Sequence, residues 1–293
     1  MDNFQLLING PLAISCITVM LFTALVCFVV SELSRNYSQV DKLWSLMPVI
    51  YSFMALAAYP SPRTWIMCIL VTIWGLRLSY NFYRKGGYNI ILWKGEEDYR
   101  WKIMRRHPLL KGRIRFGLFN LFFISLCQNL IIFLFSTPLL MAANDGNLNL
   151  NPTDFIAAFL MLLFIVTETI ADNQQFRFQQ LKRNFEGSEG QYSESLKSGF
   201  LSLGLWRFVR HPNYTSEQAI WISFYLFGVA ASGRWINWTI AGPLLLVLLF
   251  RGSTSFTENI SSKKYPGYAV YKKNVPLLLP RLLRSEKKFR NTQ

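Results

Sequence analysis

Seven apolar runs alternate with polar segments along this chain of 293 residues. Most of them approach the roughly 20 residues that a helix needs to cross the hydrocarbon core of a bilayer. They are apolar on nearly every side, whereas a surface helix of a soluble protein is apolar on one face. We therefore expect an all-α polytopic membrane protein. The runs cover residues 12–30, 43–59, 64–83, 116–141, 155–171, 218–231 and 236–250.

The last two runs are shorter than the others. A short apolar segment can tilt or pair with a neighbour instead of crossing the bilayer completely. The runs 218–231 and 236–250 therefore predict either two spans or a hairpin that stops within the membrane. The expected number of transmembrane helices is about seven, with six as the alternative.

Basic residues are distributed unevenly between the segments that join these runs. With seven spans, 28 of the 31 Lys and Arg residues lie on one side, while Arg63 and Arg234 lie on the other and Arg77 lies within a span. Because basic loops stay in the cytosol, this pattern places the N-terminus outside or in the lumen and the C-terminus in the cytosol. Contacts with anionic lipid then account for the net charge of +15 without a nucleic-acid partner.

The chain shows no internal repeat and no composition shift that marks a domain boundary. We expect one integral-membrane domain over residues 1–293, ending in a basic tail at 281–293. The four cysteines lie inside apolar runs without metal-site spacing, which is typical of small buried side chains.

The densest polar motif covers residues 204–218, between two apolar runs. Pro212 favours the first turn of a helix and an extended residue before it, so the motif predicts a helix mouth, where backbone N–H groups favour an anion. A ligand with phosphate or carboxylate groups fits this chemistry. The polar side chains of the motif are Arg207, Arg210, His211, Asn213, Tyr214 and Glu217.

A second polar cluster lies at the end of the third run. Arg77, Tyr80 and Arg84 share one face of the predicted helix. Arg77 lies about two turns inside the span, so it either extends to lipid headgroups or contacts a ligand.

A third cluster follows the fifth run. Glu168 and Asp172 are four residues apart on one helix face, with Gln175 one turn further. Two stacked acids repel each other unless a cation, a shared proton or hydroxyl donors separate them. The pair is either exposed at a helix end or binds ribose or amide groups of a nucleotide. No histidine or third acid is spaced to complete a metal shell, so we predict no metal.

The C-terminal region repeats tyrosine at every third position, with Tyr265, Tyr268 and Tyr271 flanked by lysines. This pattern is typical of an interfacial amphipathic helix. It also fits a segment that closes over a bound cofactor.

These residues carry a family resemblance. The pattern Trp206-Arg-x-x-Arg-His-Pro-Asn-Tyr-x-x-Glu217, with Glu258 and a tail of tyrosines and prolines, resembles the C-terminal region of the steroid 5α-reductase superfamily, and more distantly the isoprenylcysteine carboxyl methyltransferases. Upstream, Val40-Asp-Lys-Leu-Trp44, Trp74-Gly-Leu-Arg-Leu78 and Ala171-Asp-x-Gln174 resemble its uncharacterised DUF1295 branch. The resemblance covers residues 41–280.

The resemblance implies a polytopic reductase that takes NADPH from the cytosol. Residues 12–141 would form the substrate side and 153–280 the cofactor-binding region. Asn213 and Glu217 match positions near the nicotinamide, and Asp172 matches a carboxylate at the adenosine or ribose. Arg84 corresponds to an arginine on the phosphates. Tyr265 and Tyr268 correspond to tail positions that cover the site. No GxGxxG sequence occurs, so the site is not a Rossmann one.

The expected function is hydride transfer from NADPH to an activated C=C bond of a hydrophobic steroid, sterol or enoyl lipid that arrives from the bilayer. Tyr80 and His211 are the predicted catalytic residues, with Tyr80 as the proton donor because a phenol is neutral at pH 7. The predicted cofactor ligands are Arg77, Arg84, Glu168, Asp172, Arg207, Arg210, Asn213, Tyr214, Glu217, Tyr265 and Tyr268.

Two other functions fit the same residues. The histidine motif and the tail are shared with membrane methyltransferases that use S-adenosylmethionine. A lipid-binding or transport protein that kept the fold is the other alternative, although transporters usually contain repeated halves. The expected membrane is the endoplasmic reticulum in a eukaryote and the inner membrane in a bacterium. The oligomeric state stays open.

Overall fold

A computed structural model describes residues 10–91, 93–144, 149–184 and 191–280, and these residues form helices and turns without a β-strand. The protein is an all-α polytopic membrane protein, as predicted. The predicted basic tail, 281–293, lies outside the described residues. The α-helices are α1 Pro11–Ser34, α2 Gln39–Leu43, α3 Met47–Ala58, α4 Pro62–Arg84, α5 Tyr99–Arg106, α6 Arg113–Phe119, α7 Gln128–Ser136, α8 Pro138–Ala143, α9 Pro152–Arg183, α10 Ser193–Ser198, α11 Pro212–Ser232, α12 Ala241–Lys264 and α13 Tyr268–Asn274.

Five helical stretches among the described residues are long and apolar enough to cross a membrane. The predicted run 43–59 instead consists of the last residue of α2, a turn and the short helix α3. The run 218–231 lies in α11, which is not one of the five. The number of complete crossings and their orientation therefore stay predictions. The five stretches are Pro11–Ser34, Pro62–Arg84, Arg113–Ala143, Pro152–Arg183 and Trp238–Lys264.

The chain divides into two units by its internal contacts. The first unit consists of Met1–Leu162 and Ile220–Val247, and the second of Leu163–Ala219 and Leu248–Gln293. Each unit therefore joins segments that are distant in sequence. The region predicted to bind a cofactor, 153–280, contributes two stretches to the second unit, while its middle part belongs to the first.

Small residues allow close helix packing in the first unit. A Cβ atom at Gly75 would come within 2.6 Å of a Val49 methyl carbon and 2.8 Å of the Ser45 carbonyl oxygen. Any larger residue would therefore push α4 away from α3 and the turn before it. Next to this contact, the fully buried Trp74 ring meets the Trp221 ring edge-on at 4.8 Å. Packing of this kind stabilises helices in lipid, where hydrophobic burial adds little.

A buried ion pair fixes the start of α9 in the first unit. The Arg63 Nε atom lies 2.8 Å from Asp154 Oδ1, and both side chains are almost completely buried. Asp154 also accepts a hydrogen bond from the Asn151 backbone N–H, at 2.9 Å. This carboxylate therefore caps the N-terminus of the helix, where a negative charge is favourable.

The fourth predicted span contains an unexpected polar seam in the first unit. Residues Asn120–Cys127 form a π-helix between α6 and α7. The buried Asn120 donates to the Glu32 carboxylate of α1 at 3.0 Å and accepts from Ser125. Asn129 then donates to the Ser125 carbonyl oxygen at 2.7 Å. The wider π-helix turns these polar side chains towards α1, where they join the helices by hydrogen bonds.

The segment after α1 is held by the long basic loop of the first unit. Buried Lys42 donates to the Lys94 carbonyl oxygen at 2.7 Å, and the Asp98 backbone N–H donates to Ser38 at 2.9 Å. Trp101 donates its indole N–H to Asp41 at 3.1 Å. Burial raises the pKa of the Asp41 carboxyl and lowers the pKa of the Lys42 ammonium, since burial disfavours both charged forms.

Candidate cofactor site

The histidine motif begins with a tight turn that α9 holds in place. Gly204 has φ +60°, and a Cβ atom there would collide with the Gln174 side chain at 2.3 Å. Gln174 in turn accepts a hydrogen bond from the Leu205 backbone N–H at 3.0 Å, and Trp206 donates its indole N–H to the Ala171 carbonyl oxygen at 3.3 Å. A glycine is required where the backbone is left-handed and closely packed, so Gly204 fixes where the motif starts.

Glu258 is the centre of a charged network that joins the histidine motif to the segment 265–280, which contains the three tyrosines and which we call the tail. Its carboxylate accepts from Arg210 Nε at 2.6 Å, contacts His211 Nε2 at 3.2 Å and contacts Lys272 Nζ at 3.1 Å. The Arg210 guanidinium also donates to the carbonyl oxygens of Lys272, at 2.8 Å, and of Val275. The partners of Arg210 therefore come from α12 and the tail, and they secure the tail against the motif.

An acceptor-rich cluster lies next to this network. Asp172 of α9 accepts a hydrogen bond from the Asn213 side-chain amide of α11 at 3.4 Å. Glu168 lies one turn before Asp172, Glu217 lies one turn after Asn213, and all three carboxyl residues are buried. We call Glu168, Asp172, Gln175, Asn213 and Glu217 the acidic–amide cluster. It combines residues of the histidine motif with the third cluster, which are separate groups in the sequence.

Both amide side chains of the acidic–amide cluster have a buried oxygen atom without a hydrogen bond. Among the described residues, Asn213 Oδ1 and Gln175 Oε1 have no donor partner. A buried polar atom without a partner costs free energy, so a ligand with N–H or O–H groups would stabilise this arrangement. Ribose hydroxyls and a carboxamide N–H₂ have the required donors. The residues present therefore fit the sugar or amide portion of a nucleotide.

The remaining polar residues of the motif lie at its edges. The His211 ring stacks on the Tyr214 ring with centroids 5.5 Å apart, and Tyr214 meets Phe250 edge-on at 4.8 Å. Arg207 is exposed, with its guanidinium 5.1 Å from the centre of the Phe208 ring. Of the basic residues predicted to meet a phosphate, Arg207 thus has an accessible charge, whereas Arg210 is buried in the network around Glu258.

The tail tyrosines have different roles. Tyr268 and Tyr271 are buried and pack on the Phe200 ring, each with centroids 5.1 Å apart. Tyr265 is partly buried and accepts a hydrogen bond from Lys182 Nζ at 2.9 Å. Burial opposes ionisation of the Tyr265 phenol, but Lys182 and Lys264 outweigh it and hold its pKa below the usual value. Tyr268 therefore fixes the tail, and Tyr265 is the more accessible of the two.

The remaining predicted residues belong to the first unit. Arg84 donates to the Asn81 side-chain oxygen at 3.0 and 2.7 Å, and it lies over the Tyr80 ring. Arg77 is half-buried, whereas Tyr80 is 63% exposed. An exposed phenol is solvated or faces lipid, so this position gives no support to Tyr80 as the proton donor, and that assignment stays a prediction.

Three contributors to the site received no role from the sequence. Gln174 supports the motif turn, Lys182 binds Tyr265, and Lys272 joins the network around Glu258. Lys182 and Lys272 lie near helix ends, where long side chains usually extend to solvent, and Gln174 is a common polar residue inside α9. Only the fold brings them to their partners, although Gln174 does belong to the quoted Ala171–Gln174 pattern.

The comparisons with known proteins identify the family of this chain but do not assign an activity to it. The family model described as "Protein of unknown function (DUF1295)" matches residues 27–275. An uncharacterised protein of Schizosaccharomyces pombe is 40% identical over 265 residues, which cover 86% of this chain and 75% of the relative. No solved structure matches the chain. The matched region includes both units and every residue of the acidic–amide cluster.

Proposed function

This chain belongs to the DUF1295 family, and from that premise we propose that it is a membrane reductase that uses NADPH. The observation that supports this most is the acidic–amide cluster. Its Asn213 and Gln175 side chains have buried acceptor oxygens close to Asp172. Nucleotide ribose and carboxamide groups donate hydrogen bonds of the kind that these acceptors lack. The family resemblance of the surrounding motif to steroid 5α-reductases supports the choice of NADPH.

The chain's own residues would bind and orient the cofactor. Asp172 and Asn213 would hold hydroxyl or amide groups, while exposed Arg207 and the N-terminus of α11 would meet phosphate oxygens. NADPH supplies a hydride when it is bound. The reduction of a C=C bond also needs a proton, and we assign its transfer to His211, whose Nε2 atom lies 3.2 Å from the Glu258 carboxylate.

The substrate of the proposed reaction is a hydrophobic lipid with an activated C=C bond. A polytopic membrane protein can receive such a substrate from the bilayer, and the hydride would go to the β-carbon of the conjugated bond. The positive-inside pattern places the histidine motif on the cytosolic side, where NADPH is available. The endoplasmic reticulum in a eukaryote, or the inner membrane in a bacterium, is the corresponding proposal for its location.

One observation favours a second candidate, a methyltransferase that uses S-adenosylmethionine. The acidic–amide cluster contains three buried carboxyl residues, and Arg210 next to it is paired with Glu258. Negative charge is better suited to a sulfonium cation and an adenosine than to three phosphate groups. The two candidates thus share the adenosine portion and differ in the charge of the rest of the ligand.

Cofactor binding to detergent-purified protein distinguishes the two candidates. A ligand that binds the folded state at about 100-fold saturation raises the free energy of unfolding by about 2.7 kcal/mol, which a thermal-shift measurement detects. We expect a shift with NADPH that Asn213→Ala abolishes, and no change in that shift for Gln180→Ala, an exposed amide on the same helix as Asp172. A shift with S-adenosylmethionine alone would favour the methyltransferase, and no shift with either cofactor would contradict both.

A further inference from the structure

The first unit contains a cavity that has no part in the proposed cofactor site. Its volume is about 280 Å³, close to the smaller of the pockets that bind small molecules in proteins. None of the described residues that line it is charged, so it suits an apolar chain and would exclude an ionic headgroup. The lining residues are Ala13, Ile17, Phe133, Leu134, Leu140, Trp238 and Ala241.

A smaller void adjoins this cavity. Phe133 and Leu140 line both spaces, and Tyr51 and Cys16 line the smaller one. The void has a volume of about 10 Å³, which is room for about one water-sized group. The two spaces together therefore accommodate an apolar chain that ends in a single oxygen atom.

Three hydroxyl side chains line the smaller void, and two of them, Ser136 and Thr137, already donate to backbone carbonyl oxygens. The third is the Tyr51 hydroxyl. Tyr51 is 3% exposed, and its hydroxyl group has no hydrogen-bond partner among the described residues. A buried hydroxyl in this state is costly, because a phenol O–H in protein is normally paired. It can donate to, or accept from, a neutral oxygen-bearing group that enters the void.

We propose that this cavity binds a neutral lipid with a terminal hydroxyl or carbonyl oxygen, with the apolar chain in the cavity and the oxygen hydrogen-bonded to Tyr51. The proposal goes beyond the reductase, since it requires neither NADPH nor a reaction. The uncharged lining formed by the described residues selects a neutral lipid, and the unpaired Tyr51 hydroxyl selects an oxygen-bearing end.

The substitution Tyr51→Phe separates a ligand role from a structural one. Removal of an unpaired buried hydroxyl is expected to leave the fold as stable as before, or more so. Ligand binding should nevertheless weaken, because one hydrogen bond of about 1 kcal/mol corresponds to roughly a five-fold loss of affinity. Tyr225→Phe is the matched control, since the Tyr225 hydroxyl already donates to the Trp235 carbonyl oxygen at 2.6 Å.

The experiment uses the full chain in phosphatidylcholine nanodiscs without nucleotide. A fatty alcohol that carries a diazirine is photocrosslinked, and dodecan-1-ol and dodecane compete with it. We expect labelling of peptides that contain Phe133–Leu140 or Trp238–Ala241, stronger competition by the alcohol than by the alkane, and loss of this preference in Tyr51→Phe but not in Tyr225→Phe. Ala241→Phe, which fills the cavity, should abolish labelling.

Two outcomes would overturn the proposal. One is an equal effect of alcohol and alkane on the unmodified protein, and the other is an unchanged preference for the alcohol in Tyr51→Phe. Either would identify the cavity as an apolar surface for bilayer lipid. Neither outcome bears on NADPH binding, which the thermal-shift measurement tests separately.

Discussion

Arg210 and Glu258 form a buried ion pair, with Arg210 Nε 2.6 Å from Glu258 Oε1, that joins the histidine motif to α12. The two residues are 48 positions apart in sequence. The pair lies beside the acidic–amide cluster without belonging to it. Arg210 therefore has mainly a structural role, and its loss should affect folding before it affects ligand contacts.

The substitution Arg210→Met should destabilise the protein strongly. It leaves the Glu258 carboxylate buried with fewer partners, and breaking one half of a buried pair costs about 3–5 kcal/mol. Lys272→Met is the matched control, because that lysine also contacts Glu258 but is 45% exposed, so its loss should cost about 1 kcal/mol or less. Chemical denaturation in detergent gives both values. Equal effects of the two variants would contradict the structural role of Arg210.

Asn213→Leu and Gln175→Leu should separate stability from cofactor binding. Each removes a buried oxygen that lacks a donor among the described residues, so Gln175→Leu should leave the free energy of unfolding unchanged or increase it. Asn213→Leu also removes the donor to Asp172 and should cost about 1 kcal/mol. The NADPH-induced thermal shift should nevertheless fall in both variants. A large loss of stability without cofactor would show that these amides serve the fold and not a ligand.

Tyr265 should ionise below the usual phenol pKa of 10.0 because of Lys182 and Lys264. A depressed pKa in the folded state adds stability that is fully present above the unfolded pKa and is lost as pH falls through the folded pKa. Ultraviolet difference titration should show one tyrosinate forming early, and this component should be absent in Tyr265→Phe. In Lys182→Met it should shift to higher pH, and an unchanged titration in that variant would argue against the contact.

The Arg63–Asp154 pair predicts a non-additive result. Arg63→Met alone leaves a buried carboxylate and should cost about 3–5 kcal/mol, whereas Arg63→Met with Asp154→Leu removes both charges and should cost less than the single change. A double-mutant cycle by denaturation measures the difference. If the two losses simply add, the pair is not coupled in the folded protein.

The membrane class and the position of the main helices follow from the sequence, because a long apolar run can satisfy its backbone in lipid only as a helix. The run 43–59 was harder to interpret. Residues 44–46 form a turn, and the helix that follows, α3, has only 12 residues, which is too short to cross the hydrocarbon core of a bilayer. Whether an apolar run crosses the bilayer depends on its tertiary partners, which composition alone does not contain.

Within the candidate site, the sequence predicted which residues take part better than it predicted what each of them contacts. The spacing of Glu168 and Asp172 correctly places them on one helix face, and both are buried. The partners of Arg210 could not be predicted, because Glu258 of α12 and Val275 of the tail contact it only in the folded protein. The same holds for Asn120, whose partner Glu32 lies 88 residues away. Long-range hydrogen bonds inside a membrane protein leave no local pattern.

The contact between Arg210 and the Val275 carbonyl oxygen spans 65 residues, and it has a consequence for synthesis. While a ribosome is still making α12, the histidine motif has already been synthesised. At that stage Arg210 has neither its carboxylate partner nor its carbonyl partners. The second unit can therefore be completed only after nearly all of the described chain has been translated. A premature stop codon before Glu258 should yield a protein that inserts into the membrane and is then degraded, because Arg210 then lacks both its carboxylate partner and its carbonyl partners.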